Sequence, residues 1–269
     1  MSMERGGSKR GFSGWVVPGL ACLVFVFLLL PSVIVIPVSF GDAHEMMFPP
    51  KTWSFDLYRQ FFNDAEWLAA AWLSLRVALW TTAISLLLGV PAAYGLVRGR
   101  FPGQRWLGLF LLSPIMVPAI VAALGLYIYF LKTGISGGEL RLVLGLSVVT
   151  MPFVIVTSMS GLRHIDPNLE AAATIMGAGP LTVFFRVTLP LLKPSIIGGA
   201  LFAFLMSFDE VTIAWFISRA GYTTLPIKMF SSIQWEISPV LAAISTMLTL
   251  ISVVICLAVA KIQRRDPKS

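Results

Sequence analysis

A chain of 269 residues that is 57% hydrophobic and only 12% charged, with mean hydropathy +0.85, is not an ordinary soluble domain. Its formal net charge of +7 follows from where Lys and Arg flank apolar segments, so it argues for membrane topology and gives no case for nucleic-acid binding. The two cysteines, Cys22 and Cys256, both fall in apolar stretches, which excludes a disulfide-stapled scaffold.

Six stretches carry the roughly 20 apolar residues that a bilayer crossing needs: 15–39, 68–97, 106–131, 141–161, 195–217 and 240–261. No backbone group can go unpaired in hydrocarbon, so each is predicted as an α-helix, and 1–269 reads as one all-α, polytopic membrane domain. The first stretch follows Arg5, Lys9 and Arg10 but outruns a signal-peptide core, and it is predicted as a retained helix interrupted by Pro31 and Pro37. The next segment, 40–66, interleaves acids with Trp53, Tyr58, Phe61 and Phe62, and FDLYRQFFNDAEWL predicts a short amphipathic surface helix. Trp67 and Trp72 are expected in an interfacial aromatic belt. His44, beside Asp42 and Glu45, reads as a solvated loop residue, and His164 is equally bland.

Basic residues orient the chain. Arg5, Lys9, Arg10, Arg98, Arg100, Arg105, Arg163, Arg186, Lys193, Lys261, Arg264, Arg265 and Lys268 would share one side. Only Lys51, Arg59, Lys132, Arg141, Arg219 and Lys228 fall on the other. Positive residues collect in the cytoplasm, so both termini are expected there.

Between the fourth and fifth stretches lies a polar insert, 162–194, far longer than a turn requires. Asp166 is a predicted N-cap with Pro167 at the first helical position, and Glu170 sits near the positive end of the helix dipole. Gly177, Gly179 and Pro180 end that helix; a second segment, 181–188, presents Val183, Phe184 and Val187 before Pro190 and Pro194 stop it. Its richness in Ala and poverty in Lys and Arg suit docking against another protein; an interfacial helix on lipid headgroups is the alternative.

Asp209 and Glu210 stand inside the fifth stretch, where a carboxylate costs roughly 2.5–3.5 kcal/mol and normally faces a bundle interior or a wet path. Asp209 is about 21 Å from the start of that span at 1.5 Å per residue, and Arg76, about 13 Å from its own outer end, lies at a similar depth. Gly199, Ala203, Ser207, Glu210 and Ala214 share one stripe of small or polar groups, with Asp209 turned about 100° away. Three readings follow. Arg76 and Asp209 could form a buried ion pair; Asp209 and Glu210, with Ser207, could line a path for a cation; or Arg76 could receive an anion.

The insert carries a pattern shared with a known family. Gly177 is followed after nine residues by Val187, Thr188, Leu189 and Pro190, and is preceded by Glu170, Ala171 and Ala172. This is similar to the cytoplasmic signature of inner-membrane permeases of ABC-type importers, with Val for Ile and with Glu170 one residue early, so that Ala171 stands at the family's Glu position. Residues 74–98, 112–127 and 207–250 extend the likeness over roughly 68–261, and the last of these is similar to the smaller permease of spermidine/putrescine importers and their phosphonate and opine relatives.

The resemblance implies a six-helix permease fold of the type I importer kind, in the bacterial inner membrane. Glu170, Ala171, Ala172, Gly177, Val187, Leu189 and Pro190 would form a coupling helix in a groove of an ATPase subunit, present in two copies. A second, homologous permease and a secreted solute-binding protein would complete the importer. The latter would meet a re-entrant loop that includes Tyr222, Thr223, Thr224, Leu225 and Pro226. The chain contains no Gly-Lys pair for a phosphate-cradling loop, so no cofactor is expected on it and ATP belongs to the partner. The implied solute is a polyamine, with phosphonate, opine or another organic solute as alternatives. An ion-coupled secondary transporter is the rival from another class; it predicts inverted repeats and discontinuous helices.

Overall fold

The computed structural model describes residues 13–42, 47–235 and 238–264. Arg5, Lys9, Arg10, His44, Glu45, Arg265 and Lys268 lie outside the described residues. The described residues form helices and connecting turns, with no strand among them. They fall into two compact units, Met1–Asn63 with Ser238–Leu257, and Asp64–Ile237 with Ala258–Ser269.

The first unit holds α1 (Ser13–Val38), α2 (Asp56–Asn63) and most of α13 (Val240–Arg264). Helix α1 runs without interruption through Pro18, Pro31 and Pro37, correcting the expected breaks. In a long apolar helix the lost backbone bonds are local, and a bilayer offers no water to compete for the rest. The predicted surface helix is present as α2, with Leu57 and Phe61 on its buried side. Phe40 packs among Trp53, Phe55 and Tyr58, and the Ser39 and Tyr58 hydroxyls meet at 2.7 Å.

The second unit is built on α3 (Ala65–Arg98) and α6 (Gly138–His164), two unbroken helices long and apolar enough to cross a membrane, as is α1 over Pro18–Val38. Asp64 caps α3 by accepting the Glu66 and Trp67 amides. Between α3 and α6 lie α4 (Gln104–Leu112), a 3-10 turn (Ser113–Met116) and α5 (Ala119–Thr133). The predicted span 106–131 is therefore no single helix: it bends by 107°. Pro118 pushes Val117 into extended backbone, ψ 128°, and removes a donor at the same point.

Past α6 come α7 (Pro167–Ile175), α8 (Pro180–Val183), a π turn (Phe184–Thr188) and α9 (Leu189–Leu191), then α10 (Lys193–Asp209) at 75° to the stretch before it. The expected stop at Pro190 is overrun by one residue. In the π turn the Leu189 amide reaches back to the Phe184 carbonyl, so Pro190 falls in the first turn of α9, where its missing donor costs little. The predicted fifth span divides into α10 and α11 (Thr212–Ile217), and α12 (Leu225–Trp235) follows. With each bent pair taken as one span the described residues hold up to five, and α13 adds an apolar stretch over Val240–Ile255.

Small residues let these helices approach. A Cβ at Gly199 would lie 2.5 Å from Thr157 Oγ1, and one at Gly161 would lie 2.6 Å from Ser195 Cβ and 2.8 Å from Leu192 Cδ1. The neighbour at Gly161 is the root of a side chain and cannot swing aside. Gly161→Ala is expected to destabilise the folded protein by about 1–3 kcal/mol, the usual cost of overpacking. Thermal unfolding in detergent should show a lowered Tm, whereas Gly198→Ala, in a helix interior with open space at its Cβ, should not lower it.

Candidate functional site

The insert 162–194 is two short helical arms joined at a glycine. Asp166 Oδ1 accepts the Asn168 amide at 2.9 Å and Pro167 occupies the first helical position, so α7 starts where its end-group chemistry requires. It closes at Gly177, whose φ of +89° suits a residue without a side chain, and the Ala178 amide returns to the Ala173 carbonyl. The arms leave an apolar tip uncovered: Ile175 is 87% exposed, Met176 82% and Leu181 74%, with Phe185 and Leu169 beside them. Ala171, Ala172, Gly177 and Pro190 are exposed as well, while Val187 and Leu189 are half-buried. The motif spacing did not single out the apolar tip, although IM at 175–176 was its available signal.

Glu170 does not belong to that surface. Its carboxylate lies 3.0 Å from Arg98 Nε at the end of α3, and it accepts the Thr188 hydroxyl at 2.8 Å. Both charged side chains are largely buried, 12% and 17% exposed, and Thr188 is fully buried. Arg98 also donates to the Ile165 carbonyl at 2.9 Å, and Tyr94 sets its ring edge-on to Phe184. One residue of displacement on a helix turns a side chain by about 100°, and this turn takes Glu170 inward.

The acids of the fifth span also part company. Glu210 adopts extended backbone, ψ 114°, which ends α10, and from the position before the N-cap Val211 its Oε1 accepts the Ile213 amide at 3.0 Å, satisfying a donor in the first turn of α11. Ser207 is buried with Gly199 and Ala203, so the predicted stripe packs inside this chain and Ser207 does not reach an open face. Asp209 is exposed on the other face with Phe202 and Met206, and it has no hydrogen bond or ion pair among the described residues.

Arg76 does not pair with Asp209. It pairs with Glu139 at 3.0 Å, because α6 starts at Gly138, before the predicted 141, and brings Glu139 into its first turn. A cleft of about 540 Å³ opens beside it, lined by Glu66, Arg76, Tyr222, Thr223, Lys228 and Ser231 among others. Lys228 bridges to Glu66 at 2.8 Å and lies 4.8 Å above the Trp67 ring. Trp67 is thus buried beneath a cation, unlike the exposed Trp72, which corrects the expected belt position.

Of the predicted loop residues, Tyr222 and Thr223 are exposed, whereas Thr224, Leu225 and Pro226 are buried within this chain. The Leu225 amide donates to Ser74 Oγ at 2.7 Å, and Arg219 donates to the Ser136 carbonyl at 2.9 Å. Tyr222 lies over Gly138 so closely that a Cβ there would clash with its ring. His164 Nδ1 lies 2.7 Å from the Ser160 carbonyl, one turn back on its own helix.

Comparison with known proteins identifies the family. Residues 85–266 match the family described as binding-protein-dependent transport system inner membrane component. The chain is 34% identical over 233 residues to the putrescine transport system permease protein PotI of Escherichia coli K12, covering 84% of this chain and 83% of that protein. It is 30% identical over 250 residues to the spermidine/putrescine permease PotC of the same organism, covering 93% and 94%. Its fold is similar to a chain of a bacterial ABC transporter that imports alginate, with TM-score 0.75, 17% identity, and 97% and 99% of the two chains covered. The chain belongs to the inner-membrane components of binding-protein-dependent transport systems, the permease subunits of ABC importers.

Proposed function

We propose that this permease passes a polyamine, putrescine or spermidine, and that Asp209 is a contact for the cation on its way. The observation that carries the reading is the unpaired carboxylate on an open face, one residue before a helix break. A helix interrupted at membrane depth is tolerated where it lines a cavity or is buried in protein, and a free acid there is costly without a purpose. The names of the putrescine and spermidine relatives support the same solute class. An anionic solute finds less support, since Arg76 is already neutralised by Glu139. The broken helices also suit the ion-coupled rival, and family membership decides against it.

The full importer would hold this chain beside a second, homologous permease, two ATPase subunits and a solute-binding protein. ATP would bind only on the ATPases. The apolar tip around Gly177 would seat on an ATPase, and both termini would be cytoplasmic, with the Arg76 cleft and Tyr222–Thr223 facing the binding protein. Closure of the ATPases would move the insert and rock the spans, opening the path to alternate sides. Reconstituted with its ATPases, second permease and binding protein, the complex is expected to accumulate radiolabelled putrescine or spermidine in vesicles when ATP is present. ATP-dependent uptake of neither, together with uptake of a phosphonate, would overturn the assignment.

A further inference from the structure

We infer that Glu170, Arg98 and Thr188 form a clamp that makes the insert and α3 one mechanical body. This rests on the importer reading and adds positioning residues to it. The junction gathers four separate pieces of chain. Arg98 ends α3 and donates to Ile165 at the entry of the insert; Glu170 belongs to α7; Thr188 closes the π turn. A carboxylate and a guanidinium buried together are held by each other, because either one left alone would be a buried unpaired charge. The π turn widens the second arm at the point where Thr188 meets Glu170, the kind of local distortion found at functional positions.

The first third of α3 is tied just as specifically. Ser74 accepts the Leu225 amide, and Arg76 pairs with Glu139. Arg98 and Arg76 are separated by about 33 Å of unbroken helix at 1.5 Å per residue. Close approach stiffens the rod midway, where a Cβ at Gly89 would lie 3.0 Å from Val154 Cγ1 of α6. Movement of the insert is therefore delivered through the clamp to α3, and along it to the cleft and the 218–226 loop. Glu170 serves this joint, and the ATPase is gripped by the exposed tip residues.

The test uses the assembled complex with Ser231→Cys as a reporter in the cleft, labelled by maleimide with and without MgATP and vanadate. Nucleotide is expected to change the labelling rate in the parent complex. Glu170→Arg and Arg98→Glu, each alone, should reduce that nucleotide-dependent change by at least about tenfold, while the Glu170→Arg/Arg98→Glu swap restores most of it. Thr188→Val, which keeps the ion pair, should give a partial loss and covers the case where a single charge reversal fails to fold. Rescue by the swap is the signature of a clamp. A swap no better than either single variant overturns the proposal, as does an Arg98→Glu complex that responds normally. Loss of the ATPase from every Glu170 variant while Arg98 variants retain it would also overturn it, by placing Glu170 on the docking surface. Failure of the parent chain to retain any ATPase would instead count against the importer reading itself.

Discussion

Met176→Asp is expected to strip the ATPase subunit from the solubilised complex. Met176 and its neighbours Ile175 and Leu181 are the most exposed large apolar side chains of the insert, on a turn fixed by Gly177 at φ +89°. Among the described residues nothing covers them, and on the importer reading they become the anchors of an interface. Anchors of this kind cost about 2–4 kcal/mol or more when truncated. A carboxylate in the same place must also be desolvated without a partner, so affinity should fall by about 100-fold or more. Ile175→Ala, which only removes contact area, sits at the low end of that range and should weaken retention by about 30-fold. Co-purification of the ATPase with each variant reads the effect directly. Full retention with Met176→Asp would sink the docking reading in favour of a helix resting on lipid headgroups, where the same change would alter membrane partitioning only.

What the sequence made legible was local. Asp166–Pro167 announced the start of α7 and Gly177 its end, because caps and left-handed turns depend on residues within a few positions. The spacing from Gly177 to Pro190 identified the insert for the same reason. Several misread features were matters of which distant group a side chain meets. Arg76 was set beside Asp209 by depth alone, yet its partner is Glu139, which a span starting at 141 had left in a loop. Glu170 is one residue early by count from Gly177, and the count could not show that the displaced carboxylate has partners within the chain, Arg98, seventy-two positions earlier, and Thr188. Hydropathy could not reveal the bend at Pro118 or the break at Glu210 either. Both lie inside apolar runs, where composition continues although the backbone turns.

The same division between a side chain's depth and its partner decides the second large effect. Asp209→Asn should reduce polyamine uptake by at least about tenfold, and Asp209→Lys should abolish it, with the ATPase still bound to the complex in both. Asparagine keeps the shape and loses the charge, and a hydrogen bond to a charged group contributes about 1.5–3 kcal/mol, enough for that factor and more. Glu210 offers the internal control. Its carboxylate accepts the Ile213 amide in the first turn of α11, a task glutamine can also perform through its carbonyl. Glu210→Gln should therefore transport nearly normally, while Glu210→Ala should lower stability by about 1 kcal/mol, the usual worth of a lost hydrogen bond. Adjacent acids with opposite sensitivities would place the cation at Asp209. Were Asp209→Asn to transport normally while Glu210→Gln failed, Glu210 would be the path residue and the free carboxylate would face a neighbouring subunit. The assignment holds only if charge matters at 209 and hydrogen-bond acceptance alone suffices at 210.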